Sequence, residues 1–192
     1  MYDECYRLKQ ALHSCGVIHA DIKTSNVLLY PVQDFYSEIW KIKLSDFGNS
    51  ILYNHEPTVD TTSILGTPLY QAPELDRSST KPASLEMPTA IDIWSWGMLL
   101  WEVINDGDAY KDQNGIIILP DMMQQLRNNG NVGRLAYNVC LSNIKKEHFD
   151  EHGYIRQLAL EALQEALQAD PLARPSAIAL LSRLERSLAD EK

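Results

Sequence analysis

One stretch, Ile93–Ile104, constrains the fold more than any other part of the sequence. It reads Ile-Trp-Ser-Trp-Gly-Met-Leu-Leu-Trp-Glu-Val-Ile, and on a helix these side chains leave almost no polar face. A helix that is apolar around its circumference must be surrounded by other elements. The preceding Thr89 and Asp92 have the spacing of a capping box, which predicts that the helix starts beside them. The sequence therefore predicts a mainly helical fold that encloses this helix.

The composition is typical of a folded domain with one core. The 192 residues are 45% hydrophobic, and no apolar run approaches the roughly 20 residues that a membrane-spanning helix needs. A net charge of -9 argues against a nucleic acid or an anionic membrane as the main partner. The three cysteines show no spacing pattern, so neither a disulfide framework nor a zinc site is expected. Since the first residues do not form a signal peptide either, we expect a cytoplasmic or nuclear protein without membrane insertion.

The loop at 19–26 carries the residues that are best suited to chemistry. It reads His-Ala-Asp-Ile-Lys-Thr-Ser-Asn. In an extended segment, side chains two positions apart point the same way, so Asp21 and Lys23 can face one substrate, with Asn26 at the end of the loop. A carboxylate, a cation and an amide suit phosphoryl transfer, which needs an oriented hydroxyl, a positive charge and oxygen ligands for magnesium. The alternative is a polar turn between a helix and a strand.

A predicted β-hairpin follows this loop and leads to a second acid. Short strands are expected at 27–30 and 40–44, joined by a surface loop, and the second strand runs directly into Asp46-Phe47-Gly48. Such a hairpin returns Asp46 to the neighbourhood of Asn26. These two side chains would then supply two oxygen ligands for magnesium.

These motifs, together with Ala72-Pro73-Glu74 further along the chain, resemble those of the protein kinase family. The resemblance implies a partial kinase domain over residues 1–192, with a catalytic loop at 19–26, an activation segment at 46–74 and a helical subdomain at 88–188. The implied fold is the mostly helical C-terminal lobe, of the α+β class, with a small β-hairpin.

Residues 1–13 are predicted to form the helix just before the catalytic loop. We therefore expect the N-terminal lobe to be absent, together with its Gly-rich loop, its nucleotide-binding lysine and the glutamate that pairs with that lysine. Residues 105–152 carry only turn signals.

The resemblance also implies roles for individual residues. Asp21 would orient and deprotonate the hydroxyl of a protein substrate, and Lys23 would stabilise charge on the phosphoryl group that comes from ATP. Asn26 and Asp46 would hold Mg²⁺, and Leu28 would lie beneath the adenine. The implied function is a serine/threonine protein kinase that uses ATP and Mg²⁺.

Thr67 is the residue that selects this branch of the family. Serine/threonine kinases pair a lysine placed like Lys23 with a threonine in the substrate-docking loop, whereas tyrosine kinases lack that lysine. The resemblance further implies that His19 packs on Phe47 as a structural residue. It also implies that Asp92 reaches the backbone of the catalytic loop, and that Arg174 pairs with Glu74.

One residue of the catalytic loop departs from the family pattern. Ala20 stands where most members carry an arginine that binds a phosphate on the activation segment. A phosphate within residues 61–63, in an expected mobile loop at 49–65, would lack this partner unless Lys41 or Lys43 replaces it. The alternative function is a kinase-like binding or scaffold module without catalysis.

Overall fold

A computed structural model describes residues 12–33, 38–53, 64, 66–75, 88–105, 107, 110–112, 114–143 and 153–189. Its central element is helix α1 (Ala90–Ile104), in which residues 90–101 are all buried. The three tryptophans of α1 are at most 2% exposed. The prediction of an enclosed central helix is therefore confirmed. Among the residues described, no helix is long and apolar enough to cross a membrane.

Four more helices follow α1 in the part of the chain that the structure describes. They are α2 (Pro120–Asn128), α3 (Val132–Asn143), α4 (Gly153–Ala166) and α5 (Ala177–Ala189). Helix α1 packs against α3 and α4. The approach to α4 is closest at Gly97, where an added Cβ would lie 2.9 Å from the Cβ of Ala166. Only glycine allows this contact, because a side chain would push the two helices apart.

Within the described ranges, two small antiparallel sheets lie before α1 in sequence. Strand β1 (Val17–Ile18) pairs with β4 (Ile51–Leu52), and β2 (Val27–Gln33) pairs with β3 (Glu38–Leu44). Val27 lies opposite Leu44, so the loop before β2 and the loop after β3 leave the sheet side by side. This register positions the candidate site.

Two predictions about this region were wrong in part. The surface loop expected at 31–39 begins and ends as strand, because 31–33 pair with 38–40, while 34–37 lie outside the described residues. The exposed Pro31, which lacks an N–H, lies opposite Trp40, and proline is tolerated in a strand where its missing donor needs no partner.

The mobile loop expected at 49–65 was wrong for the residues described at its start. Its first residues include β4, which pairs with β1, and the N–H of Tyr53 donates to the carbonyl of Gly16 at 2.9 Å. Residues 54–63 and 65 lie outside the described residues. Of the helix expected at 1–13, residues 12 and 13 are described, and both are helical.

Candidate active site

The buried carboxylate of Asp92, on the first turn of α1, anchors the loop at 19–26. Its oxygens accept hydrogen bonds from the backbone N–H groups of His19 and Ala20, both at 2.9 Å, as expected. His13 Nε2 is a further partner at 2.9 Å. Burial alone would raise the pKa of Asp92, but the His13 interaction and the two N–H groups outweigh it and lower the pKa. Asp92 is therefore an ionised anchor for the loop.

The prediction of a capping box at the start of α1 was wrong, because its hydrogen bonds do not form. Thr89 makes no side-chain cap hydrogen bond, and its backbone is already helical. Asp92 cannot serve as the reciprocal partner of Thr89, since its two oxygens bond to the loop at 19–26 instead. The helix start at Ala90 was nevertheless predicted correctly.

Ala20 has a left-handed backbone, with φ of 62°. This conformation is uncommon for a residue with a Cβ and has to be held by its surroundings. The hydrogen bond from the Ala20 N–H to Asp92 helps to hold it. Gly66 lies directly against the same turn, and a Cβ added there would be 2.9 Å from the Ala20 carbonyl oxygen. A glycine at 66 therefore lets the two loops meet.

Asp21, Lys23 and Thr67 form one hydrogen-bonded cluster. The ammonium group of Lys23 donates to Asp21 Oδ2 and to Thr67 Oγ1, at 2.8 Å each. Thr67 donates to Asp21 Oδ1 twice, from its hydroxyl at 2.7 Å and from its backbone N–H at 2.9 Å. The Asp21 side chain is held from both sides, and its residue is only 4% exposed.

These contacts set the charge of Asp21. Burial would raise the pKa of its carboxyl group, but the hydrogen bonds from Lys23 and Thr67, with the positive charge of Lys23, lower the pKa below its ordinary value. Asn26 and Asn49 donate further, longer bonds to Asp21 Oδ2, at 3.4 and 3.5 Å. The group is thus a carboxylate with fixed orientation at neutral pH.

The β2–β3 pair brings Asn26 and Asp46 towards each other. The carbonyl of Asn26 accepts from the N–H and the hydroxyl of Ser45, at 2.9 and 3.1 Å, and Asp46 follows at once. The Asn26 amide nitrogen donates to the Asp21 carbonyl at 2.9 Å, so its side-chain oxygen is not engaged by that bond. Asp46 is exposed, and its one described bond, from the Gly48 N–H, is long at 3.4 Å.

The donor set at Asn26 and Asp46 suits a magnesium ion. Mg²⁺ prefers oxygen ligands, keeps several waters and is bound by one or two protein carboxylates together with phosphate oxygens. An amide oxygen, an exposed carboxylate and open solvent match that preference. Among the described residues, no group of three or more histidines, cysteines and acids could hold a metal without a substrate.

Two apolar side chains border this region. Phe47 packs on His19 with ring centroids 4.9 Å apart, while the His19 Nε2–H donates to the Ser45 carbonyl at 3.0 Å. His19 is fully buried and has no access to a substrate, so its structural interpretation is confirmed. Leu28, on β2, is 50% exposed, and Phe47 is 48% exposed. Both offer apolar surface beside Asn26 and Asp46.

The segment 66–70, which we name the docking loop, carries Thr67 and is held by contacts that sequence analysis missed. Ser95 donates to the Tyr70 carbonyl at 3.0 Å, and the Tyr70 hydroxyl donates to Glu102. Arg127, on α2, donates to the carbonyls of Pro68 and Leu69 at 2.8 and 2.6 Å. No sequence motif marks Arg127, because its burial depends on how α2 packs.

Arg174 and Glu74 form the ion pair that was expected. The guanidinium group donates to both Glu74 oxygens, at 2.6 and 2.7 Å, across a hundred residues of sequence. Arg174 is 3% exposed. The pair ties the end of the segment 46–74 to the turn between α4 and α5.

Residues 61–63, the expected phosphorylation cluster, lie outside the described residues. Lys43 lies over the ring of Tyr30, with its ammonium nitrogen 4.6 Å from the ring centroid, and Lys41 is exposed. Ala20 itself is 3% exposed and offers no group that could bind a phosphate. The prediction that a phosphate at 61–63 lacks its usual arginine stays a prediction.

The comparisons with known proteins agree with this geometry. The family model described as "Protein kinase domain" matches residues 7–184. Serine/threonine-protein kinase STE20 of Kluyveromyces lactis is 33% identical over 139 residues, which are 69% of this chain and 13% of that protein. Ovarian-specific serine/threonine-protein kinase Lok of Drosophila melanogaster is 30% identical over 175 residues, which are 91% of this chain and 31% of Lok.

A plant protein is also similar. Probable L-type lectin-domain containing receptor kinase VI.1 of Arabidopsis thaliana is 34% identical over 116 residues, which are 60% of this chain and 15% of that protein. The chain thus spans less than a third of the length of each of these relatives.

Proposed function

The chain belongs to the protein kinase family, and from this premise we propose that it transfers the γ-phosphate of ATP to serine or threonine hydroxyls of proteins. The single observation that carries the proposal is the cluster of Asp21, Lys23 and Thr67, in which Lys23 bonds to both partners at 2.8 Å. Two of the similar proteins, STE20 and Lok, are named as serine/threonine-protein kinases.

Asp21 would receive the substrate hydroxyl. Its lowered pKa keeps it ionised, so it accepts a hydrogen bond from the hydroxyl and points the hydroxyl oxygen at the phosphoryl group. Lys23 would place its positive charge beside the phosphoryl group, which carries negative charge as it is transferred. Thr67 fixes both partners and would set the distance between the docking loop and the acceptor residue. Positioning of this kind supplies much of the catalysis of phosphoryl transfer.

Asn26 and Asp46 would hold Mg²⁺, which when bound neutralises charge on the nucleotide phosphates. The exposed Asp46 carboxylate is available for this role, and Asn26 is held beside it by the Ser45 contacts. Leu28 would contact the adenine through its exposed side chain. We therefore place ATP between Leu28 and the pair of magnesium ligands.

The test is made on a longer, active form of the protein. It is phosphate transfer from labelled ATP, with Mg²⁺, to matched peptides that contain only serine, only threonine or only tyrosine as acceptor. We expect transfer to serine or threonine, and a loss of about a hundredfold or more in kcat for Asp21→Asn and for Asp46→Asn. Asp121→Asn, an exposed aspartate on α2, is the matched control and should retain wild-type rates. Transfer to tyrosine alone, or an Asp46→Asn variant with wild-type turnover, would contradict the proposal.

We also propose that these 192 residues by themselves transfer phosphate poorly or not at all. The sequence contains no G-x-G-x-x-G pattern, with which kinases cover the nucleotide phosphates. Without that cover the phosphates are poorly aligned, and alignment is a large part of the catalysis. A purified 192-residue chain with a turnover of about 1–100 per second, the usual range of protein kinases, would refute this.

The partners we propose are ATP and a protein with an acceptor serine or threonine. A nucleic acid is a poor candidate for a partner of a chain with a net charge of -9. We place the protein in the cytoplasm or the nucleus, since its cysteines show no disulfide pattern. Fractionation of cells that express a tagged chain tests this placement.

A further inference from the structure

The docking loop, residues 66–70, is where catalytic and structural contacts meet. At its start, Thr67 bonds to Asp21 through both its N–H and its hydroxyl. At its end, Tyr70 bonds to Ser95 and Glu102 of α1. Between these ends lie Pro68, which is exposed, and Leu69. The Pro68 carbonyl accepts one long bond, at 3.4 Å, from the N–H of Gln71, and neither α1 nor the catalytic loop supplies a further donor to the two carbonyls in the described contacts.

Arg127 of α2 supplies such a donor. Its Nη2 donates to the carbonyl oxygens of both Pro68 and Leu69, at 2.8 and 2.6 Å. Its Nη1 donates to the side-chain oxygen of Gln124 at 3.3 Å. Hydrogen bonds from a charged donor are about twice as strong as neutral ones.

Arg127 is only 4% exposed, which is unusual for an arginine. Met123, one turn earlier on α2, is fully buried, so the two residues form the inward face of this short helix. Burial of a cation is costly unless its donors are engaged. Arg127 is nevertheless buried, at the place where α2 contacts the docking loop.

We propose that Arg127 is a positioning residue for the proposed phosphoryl transfer. It holds the middle of the docking loop at a fixed position relative to α2 and thereby keeps Thr67 in contact with Asp21. Since an acceptor peptide would lie against the same loop, Arg127 sets both the orientation of the Asp21 carboxylate and the fit of the acceptor. It touches neither ATP nor the hydroxyl itself. The expected effect of Arg127 on catalysis rests on the proposed function. Its expected effect on the position of the docking loop does not.

The structural consequence is tested by hydrogen exchange of backbone amides in the whole chain, followed by mass spectrometry. In Arg127→Gln we expect the amides of Thr67 and Tyr70 to exchange about tenfold faster or more, because the loop opens more often. Amides of the β2–β3 sheet and of α1 should exchange at their wild-type rates. A merely structural role of Arg127 would instead accelerate exchange throughout the helical part, and that result would overturn the proposal.

Two further variants sharpen the test. Arg134→Gln, on α3, changes an exposed arginine whose described bond goes to Asn131, and it should leave the docking loop unchanged. Arg127→Lys retains the charge and can reach one carbonyl, so exchange at Thr67 should fall between wild type and Arg127→Gln. If Arg127→Gln does not fold, Arg127→Lys still decides: wild-type exchange at Thr67 in this variant would overturn the proposal.

The catalytic consequence is measured with the same acceptor peptides. We expect Arg127→Gln to lower kcat/KM for the peptide about tenfold or more while KM for ATP is unchanged, since the nucleotide ligands lie elsewhere. Unchanged peptide kinetics together with faster exchange at Thr67 would overturn the catalytic part. Transfer by the wild-type protein to tyrosine alone would contradict the proposed function instead. In that case, or if the isolated chain transfers no phosphate, the exchange data decide the role of Arg127 by themselves.

Discussion

Replacing Arg174 with methionine should remove a large part of the stability of this chain. The guanidinium group makes five hydrogen bonds with its five N–H groups: two to Glu74 and one each to the carbonyls of Ala90, Gln168 and Ala169. It also lies over the Trp94 ring, 5.0 Å from its centroid. Methionine fills part of the volume but provides none of these donors.

The size of the effect follows from what the substitution leaves behind. The Glu74 side chain is 9% exposed, so in Arg174→Met a carboxylate stays largely buried without its cation. Removing one partner of a buried ion pair typically costs about 3–5 kcal/mol. Domains are stable by about 5–15 kcal/mol, so this loss is a substantial fraction of the total. For a chain of this length it corresponds to a fall in Tm of about 6–20 °C.

Urea unfolding of the 192-residue chain, followed by circular dichroism, measures the loss. Arg183→Met is the matched control, because Arg183 pairs with Glu165 at an exposed site, and such pairs contribute less than about 1 kcal/mol. Adding Glu74→Gln to Arg174→Met should recover part of the loss, since the unpaired charge is then removed. A loss below about 1 kcal/mol in Arg174→Met would refute the reasoning.

Three further predictions concern titration and reactivity. The pKa of Asp92 is lowered in the folded chain, so its contribution to stability is present at neutral pH and is lost as the pH falls below about 5. Acid unfolding curves of Asp92→Asn should therefore start from a lower stability and depend less steeply on pH in that range. Burial raises the pKa of the Cys140 thiol to about 12, against the opposing hydrogen bond from Asn105, whereas Cys15 is exposed. Iodoacetamide at neutral pH should label Cys15 and leave Cys140 unmodified in the folded chain, as read by peptide mass spectrometry. In an active preparation, kcat should neither rise nor fall with pH because of Asp21 between about pH 6 and 8, since the pKa of its carboxyl group is lowered. A pH dependence of kcat in this range that disappears in Asp21→Asn would contradict this.

The elements that sequence analysis predicted well are those whose signal is local. The helix at Ala90–Ile104 was predicted because its composition leaves no polar face, and the motif ending at Asn26 and the strand before Asp46 were predicted from spacing alone. The pairing of Arg174 with Glu74 came from the family resemblance, since no local pattern connects residues a hundred positions apart.

The elements that were missed depend on packing that no local pattern encodes. Helix α2 begins at a proline and has only nine residues, so its sequence reads as a turn-rich stretch. Arg127 looks like an ordinary surface arginine until α2 packs under the docking loop. The capping box failed for the opposite reason, because its local pattern is correct but a distant backbone takes the Asp92 carboxylate. Tertiary contacts decided all three cases.

The low pKa of Asp21 bears on how this site would work. A carboxylate that is held ionised by Lys23 and Thr67 is a weak base, and it cannot remove the proton of a hydroxyl before the reaction begins. In a loose transition state the attacking oxygen carries little new charge, so early removal of the proton has little value. What the reaction needs first is a hydroxyl that points at the phosphorus, and a carboxylate with five described donors around it can provide that direction. The contacts that make Asp21 a weaker base are therefore the same contacts that allow it to orient the acceptor hydroxyl. It follows that loosening Thr67, through Arg127 or directly, should impair turnover even though the Asp21 carboxylate itself is still present, because its orientation is no longer fixed.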